Sequence, residues 1–235
     1  MRCFISIAIL LACLVGCKDR CKRLDGPRER YEQLVQPIHS FELLTPAEVT
    51  LYQDTLAHSN LEIYAQPEVY HLLETDVKNT VCTVQLDACF KDQEAILINA
   101  TLKRIDAIHF GSAGEIKAGN LIVQDSIRIE NTGLGDIDLT LKSHEVISYI
   151  TSSGNILLSG TATHSISLAS GSGEISAFNL LADSAVIHTL GSSIIQVYAE
   201  DYLEVHFWKP TTVQYRGNPD SIVVVGEGTL IDANL

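Results

Sequence analysis

Four positions carry chemistry at a regular spacing. Glu115, Asp136, Asn155 and Glu174 each follow a turn of small residues, separated by 21, 19 and 19 positions. If the turns stack, these side chains form a ladder with about 4.8 Å between rungs. Stacked like charges repel, and Ca²⁺, which takes several oxygen ligands, would relieve the repulsion. Glu115, Asp136 and Glu174 are therefore candidate cation ligands, with a solvated polar edge as the other reading. Two carboxylates at such distances also resemble the acid–base pair of glycoside hydrolysis, which further needs a cleft. A lyase on stacked strands would need clustered Lys or Arg, and only Lys117, Arg128 and Lys142 lie nearby. No catalytic residue, resident metal or cofactor is assigned.

The remaining reactive side chains are sparse. His109, His188 and His206 hold equivalent places ahead of their turns, in coils expected to be non-consecutive, so they are not expected to share a metal. Trp208, the only tryptophan, precedes Lys209-Pro210 and is a candidate for stacking on a sugar, against the alternative of a packed corner. Cys82 and Cys89 lie seven apart and either form a local disulfide or serve as small buried apolar residues. Cys21 falls in a charged stretch. No Ser-His-Asp arrangement, phosphate loop or Cys-X-X-Cys is present.

The bulk numbers narrow the function class. The chain has 235 residues with a formal net charge of −13. Such acidity repels nucleic acid, whose binding needs clustered Lys and Arg. At the start, Arg2 precedes an apolar run from Phe4 to Val15. The run is too short to span a bilayer, which takes about 20 residues, and reads as an export signal. Leu14-Val15-Gly16-Cys17 resembles the bacterial lipobox, so residues 1–16 are expected to be removed and Cys17 lipidated. Acyl chains would then anchor the protein without a transmembrane helix. Residues 17–35 read as a flexible tether, about 25 Å in reach by random-coil scaling.

What must position the ladder is the repeat behind it. The segments Gly111–Ile116, Gly133–Ile137, Ser152–Ile156, Gly171–Ile175 and Gly191–Ile195 share a small-residue turn followed by an apolar residue, with degenerate copies at Val213 and at Gly226–Leu230. Between turns, apolar and polar residues alternate, as in Ile137, Leu139 and Leu141, which is strand periodicity. A step near 20 without hairpin signals predicts an all-β, single-stranded parallel β-helix over residues 106–235, each coil pairing with the next. Ile116, Ile137, Ile156, Ile175, Ile195, Val213 and Leu230 would form one inward column. An antiparallel sandwich would not return the same turn with the same residue behind it. Residues 36–105 alternate less regularly and are expected to be an irregular N-terminal β segment.

The ordered motifs resemble the putative auto-transporter adhesin, head GIN domain family of Bacteroidetes over about Phe41 to Asp232. The motifs are Phe41-Glu42-Leu43-Leu44, Glu48 to Gln53, Leu72 to Val77, the Gly-Ser-Gly-[Asp/Glu]-Ile repeats, Val213 to Pro219 and Gly226-Glu227-Gly228. The resemblance implies a right-handed helix, one continuous domain over 36–235 and no catalytic residues. The sequence departs from the family pattern at Ser192-Ser193 and at Trp208-Lys209-Pro210.

Together these features predict a lipid-anchored envelope protein that binds or supports rather than catalyses. The expected location is the outer membrane, facing either the surface or the periplasm. Expected partners are the membrane through the lipid and a polysaccharide or another envelope protein. The alternatives are a carbohydrate-active enzyme on the same scaffold and a component of a periplasmic envelope-stress sensor.

Overall fold

Alternating apolar and polar residues build strands along almost the whole chain, and the strands stack. The structure is a computed structural model in which residues 21–56 and 58–234 are described. The expected signal segment 1–16 and the lipidated Cys17 lie outside the described residues.

Two faces of a β-solenoid run the length of the molecule. One is formed, in stacking order, by the strands Val81–Gln85, Ser40–Leu43 and Ala107–Phe110, then the second halves of Ile122–Asn131, Asp136–Ile150, Asn155–Ala169 and Glu174–Thr189, and finally Tyr202–Phe207 and Ser221–Gly226. The other starts with Leu97–Leu102, Ala47–Gln53 and Gly114–Ala118 and ends with Ile194–Tyr198, Thr212–Arg216 and Thr229–Asp232. All these neighbours are parallel.

The expected column is present. Ile116, Ile137, Ile156, Ile175, Ile195, Val213 and Leu230 are register partners in unbroken succession, and Ile98 and Val49 extend it at the other end. All but the last, partly buried Leu230 are sealed from solvent. Each such side chain contributes roughly 1.5–3 kcal/mol by burial.

The boundary expected at residue 106 does not divide the stack. The turn formed by 40–53 lies between the turn formed by 81–102 and the one beginning at Ala107. The chain thus completes its second turn beneath the first, then steps over it to continue. Segment 36–105 is irregular in sequence because it also supplies a cap. Asn60–Ala65 pairs antiparallel with Leu97–Leu102, Glu29–Leu34 pairs antiparallel with Asn60–Ala65, and Glu74–Lys78 pairs antiparallel with Val81–Gln85. A four-residue helix, Pro67–Tyr70, buries Val69, and Tyr70 stacks on Tyr31 with ring centroids 3.6 Å apart.

Two expectations are corrected at this capped end. Residues 21–35 are not a free tether, because Lys22–Arg23 pairs with Phe90–Lys91 and Glu29–Leu34 is the outer cap strand. The disulfide joins Cys21 to Cys89, not Cys82 to Cys89. Cys82 points into the core beside Phe41 on a regular strand, whereas Cys89 lies past the strand end, where the chain meets Lys22. Burial pushes the Cys82 thiol up to about 12, so it stays protonated and inert.

Candidate functional site

The third side of the solenoid is a corner where long strands bend. In Asp136–Ile150 the inward positions are Ile137, Leu139 and Leu141 before the bend but Val146, Ser148 and Ile150 after it. The change of parity shows that the bend absorbs one residue. In Asn155–Ala169 the parity changes between Ala162 and Ser165, just past Gly160, whose φ of +111° suits glycine and few other residues. A bulge after Leu157 and Ser176 adds one residue to the next turn, which explains its step of 20 at Val186 against 19 at Ile175. The surplus aromatic nearby, Phe178, is turned outward under the Arg216 guanidinium, 4.3 Å from its ring centre.

At this corner the bends stack into a groove of about 680 Å³. Its floor is the cross-rung series Val123, Lys142, Thr161 and Leu181, at about 4.8 Å per rung. Val123 and Leu181 are half exposed, at 52% and 49%. Tyr198 and Glu200 continue the groove on the following turn, the tyrosine hydroxyl donating to the glutamate. Lys142 supplies a cation, and Asp183 and Glu200 supply carboxylates. The Gln124 amide nitrogen, also on the groove wall, is buried without a hydrogen-bond partner. A buried unpaired donor costs about 1–3 kcal/mol.

Beside the groove, the His144 and His164 rings meet edge to face at 5.0 Å. His164 Nδ1 lies 2.7 Å from Ser184 Oγ. Among the described residues no carboxylate is hydrogen-bonded to either ring, so the pair lacks the third group that orients a catalytic base.

The residues singled out from the sequence occupy other surfaces. Glu115, Asp136, Asn155 and Glu174 do form the expected ladder, extended by Glu48. Asn155 Nδ2 donates to Asp136 Oδ1 at 2.8 Å, and Lys117 approaches Glu115 at 3.4 Å, which offsets part of the repulsion. Among the described residues no cluster of three or more His, Cys, Asp or Glu side chains is arranged to hold a metal.

His109, His188 and His206 fall in one outward column, as expected, but His188 and His206 belong to consecutive rungs, which corrects the reading that separated them. The degenerate Trp208-Lys209-Pro210 corner hid that adjacency. Their rings stack at 4.7 Å. Burial, with the neighbouring imidazole, pulls the His188 pKa below its ordinary value, and hydrogen bonds from Tyr202 and His206 hold the Glu204 carboxyl below its own. His109 sits apart, between Glu42 and Thr132. Trp208 is 69% exposed, so it is not a packed corner. The groove itself was not foreseen. Its only sequence signal is the recurrence of an exposed residue at 142, 161 and 181.

The sequence matches the family described as "Putative auto-transporter adhesin, head GIN domain" over residues 41–219. The chain belongs to this family. Several solved structures share its architecture. A putative adhesin from Bacteroides fragilis is 22% identical, superposes with a TM-score of 0.83 and covers 88% of this chain and 98% of its own. A putative lipid binding protein from Parabacteroides distasonis is 17% identical, with a TM-score of 0.70 and coverages of 91% and 100%. A putative adhesin from Parabacteroides merdae is 17% identical, with a TM-score of 0.66 and coverages of 90% and 98%. No curated protein matches the sequence. Among the described residues no helix is long and apolar enough to cross a membrane.

Proposed function

We propose that this head GIN chain is a non-catalytic, adhesin-like protein of the cell envelope, anchored through a lipid on Cys17, and that it takes a polysaccharide along the corner groove. The observation that carries the ligand assignment is the groove's mixture of groups. Exposed Val123 and Leu181 offer apolar contact, Lys142 offers a donor, and Asp183 and Glu200 offer acceptors. Such a surface suits a polymer with apolar ring faces and many hydroxyls. The adhesin names of similar structures agree with this reading.

Export is supported by the Cys21–Cys89 disulfide, a bond that persists in oxidising compartments. Cys21 stands four residues from Cys17, a span of at most about 14 Å. The lipid would therefore hold the capped end of the solenoid close to the membrane, not at the end of a long tether. Outward display on the outer membrane follows from an adhesive role.

Two experiments test the proposal. On a glycan array, the chain from Lys18 onward is expected to retain specific polysaccharides, and the Tyr198→Ala, Leu181→Asp variant to lose them while keeping its melting temperature. Retention undiminished in the variant would remove the groove from the account. Protease shaving of intact cells is expected to release the protein, whereas full protection would place it on a periplasmic leaflet.

A further inference from the structure

The two ends of the solenoid differ. At one end, antiparallel strands cover the first turns. At the other, Ser221–Gly226 pairs only with Tyr202–Phe207, and Thr229–Asp232 only with Thr212–Arg216. Nothing among the described residues stacks beneath them. Ile222 and Val224 continue the inward columns of Leu203 and Val205, yet they are 44% and 49% exposed, while Leu203 and Val205 are sealed. The outward Val223 and Val225 are exposed as well. A row of free backbone N–H and C=O groups flanked by valines is a template for another strand.

We propose that this edge is a homodimer interface: two copies join tail to tail about a two-fold axis through Val224, with Ser221–Gly226 of each copy pairing antiparallel. The proposal does not depend on what the groove binds.

The sequence of the edge is self-complementary in only this kind of register. Residues directly opposite in an antiparallel pair share a face, so a two-fold must pass through a residue to keep inward positions inward. Centred on Val224, the register sets Val224 against its own copy. Val223 then meets Val225 on the outer face, and Ile222 meets the small Gly226 on the inner one. Large faces small, valine faces valine, and no charge enters the strand. The area is adequate. A coil of roughly 20 residues at about 3.3 Å each encloses at most about 350 Å² of backbone cross-section, and outward side chains reaching about 5 Å further widen the end to on the order of 700 Å² per copy, close to the roughly 800 Å² per partner of stable interfaces.

The rim distinguishes a second copy from a foreign partner. Asp220, Glu227 and Asp232 are exposed around the open end. Two identical acidic rims repel, and salt screens that repulsion, so self-association strengthens as ionic strength rises. A basic partner attracted to the rim would show the reverse.

Cysteine cross-linking reads the register directly. In the full chain extracted in neutral detergent, Val224→Cys is expected to oxidise to a covalent dimer, since paired Cα atoms lie about 4.5–5.5 Å apart. Ile222→Cys is expected to stay monomeric, because two copies of position 222 would be separated by four residues, about 14 Å, beyond the roughly 7 Å a disulfide tolerates. Buried Cys82 and bridged Cys21 and Cys89 leave no competing reactive thiol among the described residues. Sedimentation of the unsubstituted protein is expected to give twice the monomer mass, more completely at high salt, and Val224→Lys to give the monomer at an unchanged melting temperature. A monomer under all conditions, equal cross-linking at 222 and 224, or cross-linking of position 224 to a different protein would each overturn the proposal, the last assigning the edge to a foreign strand.

Discussion

Cys21 and Cys89 are bonded across 68 residues of chain, with Cα atoms 4.6 Å apart, at the capped end of the solenoid. The bond fastens the segment that precedes the cap strand Glu29–Leu34 to the loop after Val81–Gln85. Cleaving a loop of this size removes about 2–4 kcal/mol of stability. Cys89→Ser is therefore expected to lower the denaturation midpoint without loss of the C-terminal turns. Alkylation of the native protein is expected to leave Cys82 unmodified. Denaturation without a reductant should expose it as the one free thiol among the described residues, and ready native labelling of Cys82 would contradict its placement in the core.

Ser148 and Ser167 are cross-rung neighbours inside the core, their hydroxyls 3.0 Å apart and both almost wholly buried. Replacing either by Ala leaves the other hydroxyl with a poorer partner. Each single substitution is expected to cost about 1–2 kcal/mol, and the double substitution clearly less than their sum, because an unpaired buried polar group is worse than none. Urea denaturation of the four proteins measures the coupling, and strict additivity would show that the two hydroxyls do not interact.

Gly160 and Gly26 both have positive φ, at +111° and +98°, but their surroundings differ. A methyl on Gly160 would lie 1.9 Å from the Leu141 carbonyl oxygen of the preceding rung, whereas one on Gly26 meets nothing within 4 Å. Gly26→Ala is expected to cost about 1 kcal/mol of backbone strain. Gly160→Ala must also push apart two rungs at the groove and is expected to lose several kcal/mol. Equal costs in denaturation would mean that the corner stacking is looser than described.

Stability is expected to fall as the medium becomes acidic, in two stages. His188 has its pKa lowered, mainly by burial, so the unfolded chain binds the proton more readily than the fold. Its effect is absent above the ordinary value of 6.5 and appears as pH drops below it. Glu42, hydrogen-bonded by Thr83 and His109, and Glu204 have lowered pKa values, so their stabilisation is present above 4.5 and is lost as pH falls further. Thermal melting across this range is expected to show both declines, with His188→Gln removing the first. A melting temperature that rises on acidification from neutrality would contradict both assignments.

The column from Ile116 to Leu230 was legible because each member sits immediately behind a turn whose composition marks it. Alternation fixes which residues share a face but not which face is inside. Ile166 and Leu168 do share one, yet it points outward, and the core behind them is built from Ser165, Ser167 and Ala169. The partner of Cys89 was illegible for a different reason. It lies 68 residues away on a charged segment that resembles a solvated tether, and only the docking of Lys22–Arg23 brings it close. Glu29–Leu34, with four charged or amide side chains among six residues and a single cap neighbour, carries an edge strand's pattern, which is hard to separate from a linker. The groove arises from bends in three successive turns, a property of stacking that no single repeat displays.

The central functional claim is that binding occurs at the corner groove. Its most direct test is amide and side-chain NMR of the protein during titration with a polysaccharide fragment selected from the array. The account predicts shift changes concentrated at Gln124, Lys142, Thr161, Leu181 and Tyr198. Changes concentrated instead at Trp208, or along the outward column through Tyr149 and Leu168, with the groove unaltered, would contradict it.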